Sequence, residues 1–357
     1  MPHSIPKDEK TTRNYVPFWS ADKLANTKEI PTYLFRLTAP ATDGTTNETN
    51  VCPPAPRNKN FLDLSSCDAA NYLYQHLKPV NGHQDSCNFM SWSSSLSFLI
   101  QYAFYRSRTW WTDRNFKDIK LLVIDTRKLP KGIFAKDMDL LEFLSSTCEC
   151  KYHEDLKYFT RLRKSNYYFG EYLTQGTLNL LDGYCKQVNF GEMVGLGLFD
   201  LLPDVLKDEQ NWENWAKPVK SSRIPFFSSN HDETTLEDEV DVAMSIAKTL
   251  FRGPWSLPVA AMLLGLKPRQ RNDPIIINGF IDNYGVDDIR DTISQGLIID
   301  GERLPEVNEY GYILSEIALS VLEIDELESS DTDDSVDNES TAVDDLASDL
   351  NNQLTLN

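Results

Sequence analysis

Three well-separated places in the chain carry side chains able to act together on a nucleotide. Arg36 ends an otherwise apolar run, Tyr33-Leu-Phe-Arg36. Ser93, Ser94 and Ser95 sit where an extended stretch, Phe89–Ser95, turns into a helix. Glu171 lies in an aromatic segment, Phe169-Gly-Glu-Tyr172. A guanidinium pairs with phosphate through two parallel hydrogen bonds. Small hydroxyls orient a ribose or an amide. A carboxylate holds a ribose hydroxyl and offsets the positive charge of an oxocarbenium-like transition state. Brought into one cleft, the three suit a dinucleotide.

Each residue also has a structural reading. Arg36 can pair with an acid at the edge of a core. The serines can cap the helix that starts near Leu96. Glu171 can be an outward residue of an alternating strand. Tyr102, Tyr105, Trp110 and Trp111 either line a pocket for a flat ring or belong to an ordinary core. His231, beside Asp232 and Glu233, reads as a hydrated loop, and His76 as a packed or surface histidine on a helix. The chain has neither a Gly-x-Ser-x-Gly elbow nor a Walker loop. Its six cysteines include one Cys-x-Cys, Cys148 and Cys150, with His153 nearby and Cys185 distant. That spacing matches no usual zinc pattern, so ordinary thiols and no metal are expected.

The elements that must position these residues are legible in the periodicity. Tyr33–Leu37 reads as a short strand between Pro31 and Pro40. Residues 38–60 read as a long irregular loop. Cys67–Leu77 has helical spacing with Ser65 or Ser66 as its cap. Leu96, Leu99, Ile100, Ala103 and Phe104 form one helical stripe. Ile119–Asp125 is nearly all apolar, the pattern of a strand buried on both faces. Asp139–Leu144 and Tyr152–Lys164 read as helices, Tyr167–Leu173 as a strand closed by Gln175-Gly176, and Met193–Leu202 as a short helix. Beyond Pro203, helices are expected from Glu237, over Leu257–Leu266, over Asp287–Ile293 and over Tyr312–Leu322.

The resulting organisation is α+β: a loose arm over 1–29, a mixed body over 30–205, a mainly helical module over 206–325, and a disordered acidic tail over 326–357. The chain has 357 residues and a net charge of −19. The charge is unevenly placed: fifteen acids and no base follow Arg303, leaving 39 acids against 35 bases before it. A nearly balanced body argues against general nucleic-acid binding, which needs a basic face. The tail buries too little apolar area to offset chain entropy. No run of 18 apolar residues occurs, and the first ten residues lack the apolar stretch of a secretory signal. A soluble protein of the cytoplasm or nucleus is therefore expected.

The order Leu-Phe-Arg36, then Ser93-Ser94-Ser95 before a helix, then Glu171 with Gly176 five residues on resembles the Arg–Ser–Glu pattern of ADP-ribosyltransferases of the cholera-toxin-like branch. Val123-Ile-Asp-Thr126 is similar to the strand between them. Trp92-Ser-Ser-Ser-Leu96, Val123–Arg127 and Gly170-Glu-Tyr-Leu-Thr-Gln-Gly176 also look like an uncharacterised domain common in filamentous fungi. The resemblance spans roughly residues 31–205. It implies a split sheet with flanking helices and NAD as substrate. Arg36 would grip phosphate or ribose, Ser93, with Ser94 and Ser95, would support the nicotinamide ribose, and Glu171 would be catalytic. Phe169 stands where many of these transferases carry Glu or Gln to orient an acceptor. NAD hydrolysis therefore fits this chain better than transfer to a side chain. The alternative is an inactive interaction protein, whose helical module and acidic tail contact a protein partner.

Overall fold

The apolar run ending at Asp125 forms a strand buried on both faces, as its composition implies. In the computed structural model, which describes residues 15–18, 30–40, 42–57, 60–78, 87–107, 115–202, 216–228, 234–299 and 304–330, the protein has a mixed α+β fold. The main sheet contains β1 (Tyr15–Val16), β2 (Tyr33–Thr38), β5 (Phe89–Ser93), β6 (Lys120–Asp125), β7 (Ala135–Lys136), β8 (Glu171–Gly176) and β10 (Cys185–Asn189). Its strand order is β1-β8-β5-β2-β6-β10, with β7 also on β8, and every pairing is antiparallel. β2 pairs with β6 along its whole length, from Tyr33 opposite Asp125 to Thr38 opposite Lys120. With β5 it shares one position, Phe35 opposite Ser93. The sheet thus consists of two well-paired halves joined at a single residue pair. A second sheet of β3 (Thr45–Thr46), β4 (Asn50–Cys52) and β9 (Leu178–Asn179) occupies part of what reads as irregular loop over 38–60.

Helices α1 (Ser66–Leu77), α2 (Leu96–Ser107), α3 (Asp137–Thr147), α4 (His153–Lys164), α5 (Phe190–Gly195) and α6 (Leu198–Leu201) accompany the sheet. The Ser65 hydroxyl caps α1 by accepting from the Asp68 amide. Further on come α7 (Ala216–Ser222), α8 (Glu237–Ile246), α9 (Ser256–Leu264), α10 (Pro274–Tyr284), α11 (Val286–Ser294) and α12 (Pro305–Ser330). These helices continue one apolar core with the sheet body. Phe35, Val123, Leu99 and Phe104 belong to the same buried cluster as Ala260, Leu263, Phe280 and Ile317. α9 is buried along its whole length, so its sequence is apolar all round. A second cluster lies under α1, α3 and α4, and a third packs the opposite face of the sheet through Leu34, Trp92, Leu122 and Ile124.

Several expectations change. The N-terminal arm supplies an edge strand, because Val16 and Phe18 alternate inward and Phe18 stacks on Phe89 at 6.2 Å. The strand expected over Tyr167–Leu173 begins only at Glu171, since Gly170 adopts φ +66° and breaks the extended path. The helix expected over Met193–Leu202 is two short helices broken at Gly197, whose φ is +97°. α12 runs to Ser330, into the stretch read as disordered, because Glu and Leu continue a helix already anchored by packing around Ile313, Ile317 and Val321. The remaining tail (331–357), most of the arm, Trp110, Trp111, Trp212, Trp215 and His231 lie outside the described residues.

Candidate functional site

The junction between the two halves of the sheet is also where the residues singled out above come together. Phe35 on β2 faces Ser93 on β5, and Ser93 in turn faces Glu171, the first residue of β8. Arg36, Ser93 and Glu171 therefore sit on three adjacent strands at nearly the same height. A cavity of about 440 Å³ opens there, lined by Arg36, His76, Cys87, Ser91, Ser93 and Glu171 among others. That volume falls within the ~300–1,000 Å³ of small-molecule clefts.

Arg36 is 8% exposed, so its charge is largely removed from water. Its guanidinium is held by neutral acceptors. Nε donates to the Thr46 hydroxyl at 2.9 Å, Nη1 to the Ser91 carbonyl at 2.7 Å, and Nη2 to the Met90 sulfur at 3.7 Å. Among the described residues no carboxylate forms an ion pair with it. The core-edge acid that the structural reading required is therefore absent among them. Burial pulls its pKa from the usual 12.5 down to about 10. A buried cation with neutral partners is an attractive point for an anion.

Glu171 is fixed from both sides. Ser91 donates its hydroxyl proton to Oε1 at 2.9 Å, and Arg163 of α4 donates to Oε2 at 3.0 Å. Arg163 also donates to Asp137 at 2.7 Å, so one guanidinium holds two carboxylates in place. Burial would lower the Arg163 pKa, but the charges of Asp137 and Glu171 outweigh it and raise it. Asp137 is fully buried. Desolvation pushes its carboxyl up, Arg163 pulls it down, Glu171 pushes it up again, and it comes to rest at about 7. Gly170 sets the turn that delivers Glu171 to the strand. A Cβ there would collide with the Ser94 hydroxyl, and the positive φ already disfavours a side chain.

Ser91 joins this carboxylate to a histidine and a thiol. Its hydroxyl lies 2.8 Å from His76 Nε2, and His76 Nδ1 lies 3.1 Å from the Cys87 sulfur. With the Ser91 proton committed to Glu171, the serine oxygen must accept from Nε2–H. A neutral ring then presents the Nδ1 lone pair to the Cys87 thiol. Burial raises the Cys87 pKa, but the bond to His76 and its charge outweigh this and lower it. Burial likewise disfavours charge on His76, yet Cys87 and Glu171 raise its pKa. The relay runs Cys87–His76–Ser91–Glu171, and Ser91 ties it to Arg36 through its own carbonyl. His76, Cys87 and Ser91 are close in sequence but at irregular spacing, and Glu171 lies 80 residues beyond Ser91. The one available signal was alternation, since Ser91 shares a strand face with Ser93.

The serine triplet plays a different part. Ser93 lines the cavity, yet its hydroxyl donates to the Phe169 carbonyl at 2.7 Å and accepts from the Ser95 amide at 3.0 Å. Ser94 is buried against Gly170, its hydroxyl 3.5 Å from that carbonyl. Ser95 caps α2 by accepting from the Phe98 amide, and it donates to Glu306 of α12 at 2.6 Å. Glu306 is paired in turn with buried Arg223, which also donates to the Tyr168 carbonyl. Ser94 and Ser95 are not among the residues lining the cavity. One wall of the cleft is aromatic: Phe98 stacks between Tyr102 and Phe169, with ring centroids 5.8 and 5.2 Å away.

Residues 29–176 match a family model described as Domain of unknown function (DUF7587). The match covers less than half of the chain, ends at the last residue of β8, and contains every cleft residue discussed above. No curated protein matches the chain, and no solved structure does.

Proposed function

We propose that this cleft binds NAD and cleaves the bond between ribose and nicotinamide, with Glu171 as the catalytic carboxylate and water as the acceptor. One observation carries the reading: a buried guanidinium that no described carboxylate neutralises shares a cavity with a carboxylate fixed through the same serine. Arg36 meets a phosphate, and Arg106, also in the lining, adds a second cation. The flat ring of nicotinamide suits the wall of Phe98, Tyr102 and Phe169. Two well-paired half-sheets meeting at Phe35 and Ser93 are consistent with the split sheet of the ADP-ribosyltransferase resemblance.

The chemistry follows from charge. The C1′–N bond breaks and its electron pair neutralises the pyridinium nitrogen, while positive charge develops on C1′ and the ring oxygen. Glu171 stabilises that charge and accepts from a ribose hydroxyl. Water adds at C1′ and releases a proton. Phe169, two residues before Glu171, is packed between Phe98 and the Arg223 guanidinium, 5.6 Å from its ring. It has no polar group to orient an acceptor side chain, which favours hydrolysis.

The test is nicotinamide release from NAD by the full chain. Glu171→Gln preserves size and the acceptor for Ser91, and its rate should fall by about 10²–10³, the usual scale for losing one electrostatic stabiliser. An unchanged rate in folded Glu171→Gln, or no release by the wild-type chain, refutes the reading.

A further inference from the structure

We propose that Cys67, Cys148 and Cys150 form a binding site for one Zn²⁺, separate from the cleft. Their three sulfurs lie within 4.8 Å of one another. They come from three places: Cys67 from the first turn of α1, Cys148 from the C-terminal end of α3, and Cys150 from the turn into α4. The cysteines are free. The Cys-x-Cys spacing alone lacks a third thiol, and Cys67 supplies it from 81 positions before Cys148.

The geometry suits zinc. Zn–S bonds of ~2.3 Å at tetrahedral angles place sulfurs roughly 3.8 Å apart. Drawing the three thiols onto an ion therefore needs a contraction of less than about 1 Å. The Cys150 amide already donates to the Cys148 sulfur at 3.3 Å, an outer bond that orients a thiolate. The remaining tetrahedral position falls to solvent, which reaches the site at exposed Cys67. Binding converts three thiols into thiolates on one ion and releases three protons to solvent. The soft donor set selects zinc over magnesium or calcium, which take oxygen ligands. The ion would clamp the start of α1 to the α3–α4 hairpin.

The experiment uses the full chain, reduced with a phosphine, stripped with a chelator and titrated with Co²⁺ or Zn²⁺. The expected result is one equivalent of metal, with thiolate-to-cobalt charge-transfer absorption and tetrahedral visible bands that Zn²⁺ abolishes. Cys67→Ser, Cys148→Ser and Cys150→Ser should each weaken binding at least roughly tenfold, and Cys52→Ser should leave it unchanged. Should these variants fail to fold, alkylation mapping of the wild-type chain decides. Zn²⁺ should protect exposed Cys67 and half-buried Cys150 from iodoacetamide and leave Cys52 reactive. Absence of stoichiometric binding by the reduced chain, or binding without protection of Cys67 and Cys150, overturns the proposal.

Discussion

Replacing Arg36 by Met separates a ligand-binding cation from a structural one. Burial brings its pKa from 12.5 to about 10, equivalent to about 3 kcal/mol against the charged form. Its bonds to Thr46 and to the Ser91 carbonyl return roughly 1 kcal/mol each, and the contact with the Met90 sulfur returns less. Arg36→Met removes both contributions and fills the space with an apolar chain of similar length. Stability should therefore change by no more than about 1 kcal/mol in either direction, read as the midpoint of equilibrium urea unfolding. Breaking a buried ion pair would instead cost about 3–5 kcal/mol. NAD binding by calorimetry should weaken by about 100-fold, the scale of one charge-assisted contact to phosphate. A loss of 3 kcal/mol or more with NAD affinity intact would refute the reasoning and make Arg36 a structural residue.

Two further predictions concern the groups around Glu171. Asp137 sits at about 7 when folded, against roughly 4 in the unfolded chain. Between those values the folded form holds a proton that the unfolded form has released. Stability should therefore fall as pH rises from about 4 to about 7, by up to ~1.4 kcal/mol per pH unit. Asp137→Asn should flatten that profile in thermal melts from pH 4.5 to 7.5. Cys87, whose thiol His76 holds below its usual range, should react with iodoacetamide at pH 7 faster than buried Cys185, whose thiol burial pushes up to about 12. NAD should protect it. Equal rates for the two cysteines in a mass-resolved time course would contradict the Cys87–His76 pairing.

Local pattern made much of the scaffold readable. Ile119–Asp125 announced its burial by apolar content, and α1, α2, α4 and α8 by helical periodicity. The failures have particular causes. Ile275, Ile276 and Ile277 are β-branched and gave no helical expectation, yet they lie in α10, which starts with Pro274 behind an Asp273 cap. β10 carries Lys186 and Gln187 at a sheet edge and has no apolar run to betray it. The site was legible only where its residues stood in recognisable strings. Arg36, Ser93 and Glu171 were marked by their flanks and occupy one cleft. Ser91, His76 and Cys87 were hidden because a relay assembled from a strand, a helix and the approach to that strand leaves no fixed spacing.

The Ser95–Glu306–Arg223 connection bears on how this protein can be cut. Glu306 and Arg223 lie far beyond Gly176, where the match to the domain of unknown function stops. β10, which covers the outer edge of β6, also lies past that point, as do the helices that shield Phe35, Val123 and Leu99. A fragment ending at Gly176 would carry the whole cleft but expose a bare strand edge and a face of greasy side chains. The shortest soluble unit for biochemistry therefore extends through α12, and the recognisable segment is a part of the folding unit rather than a module of its own.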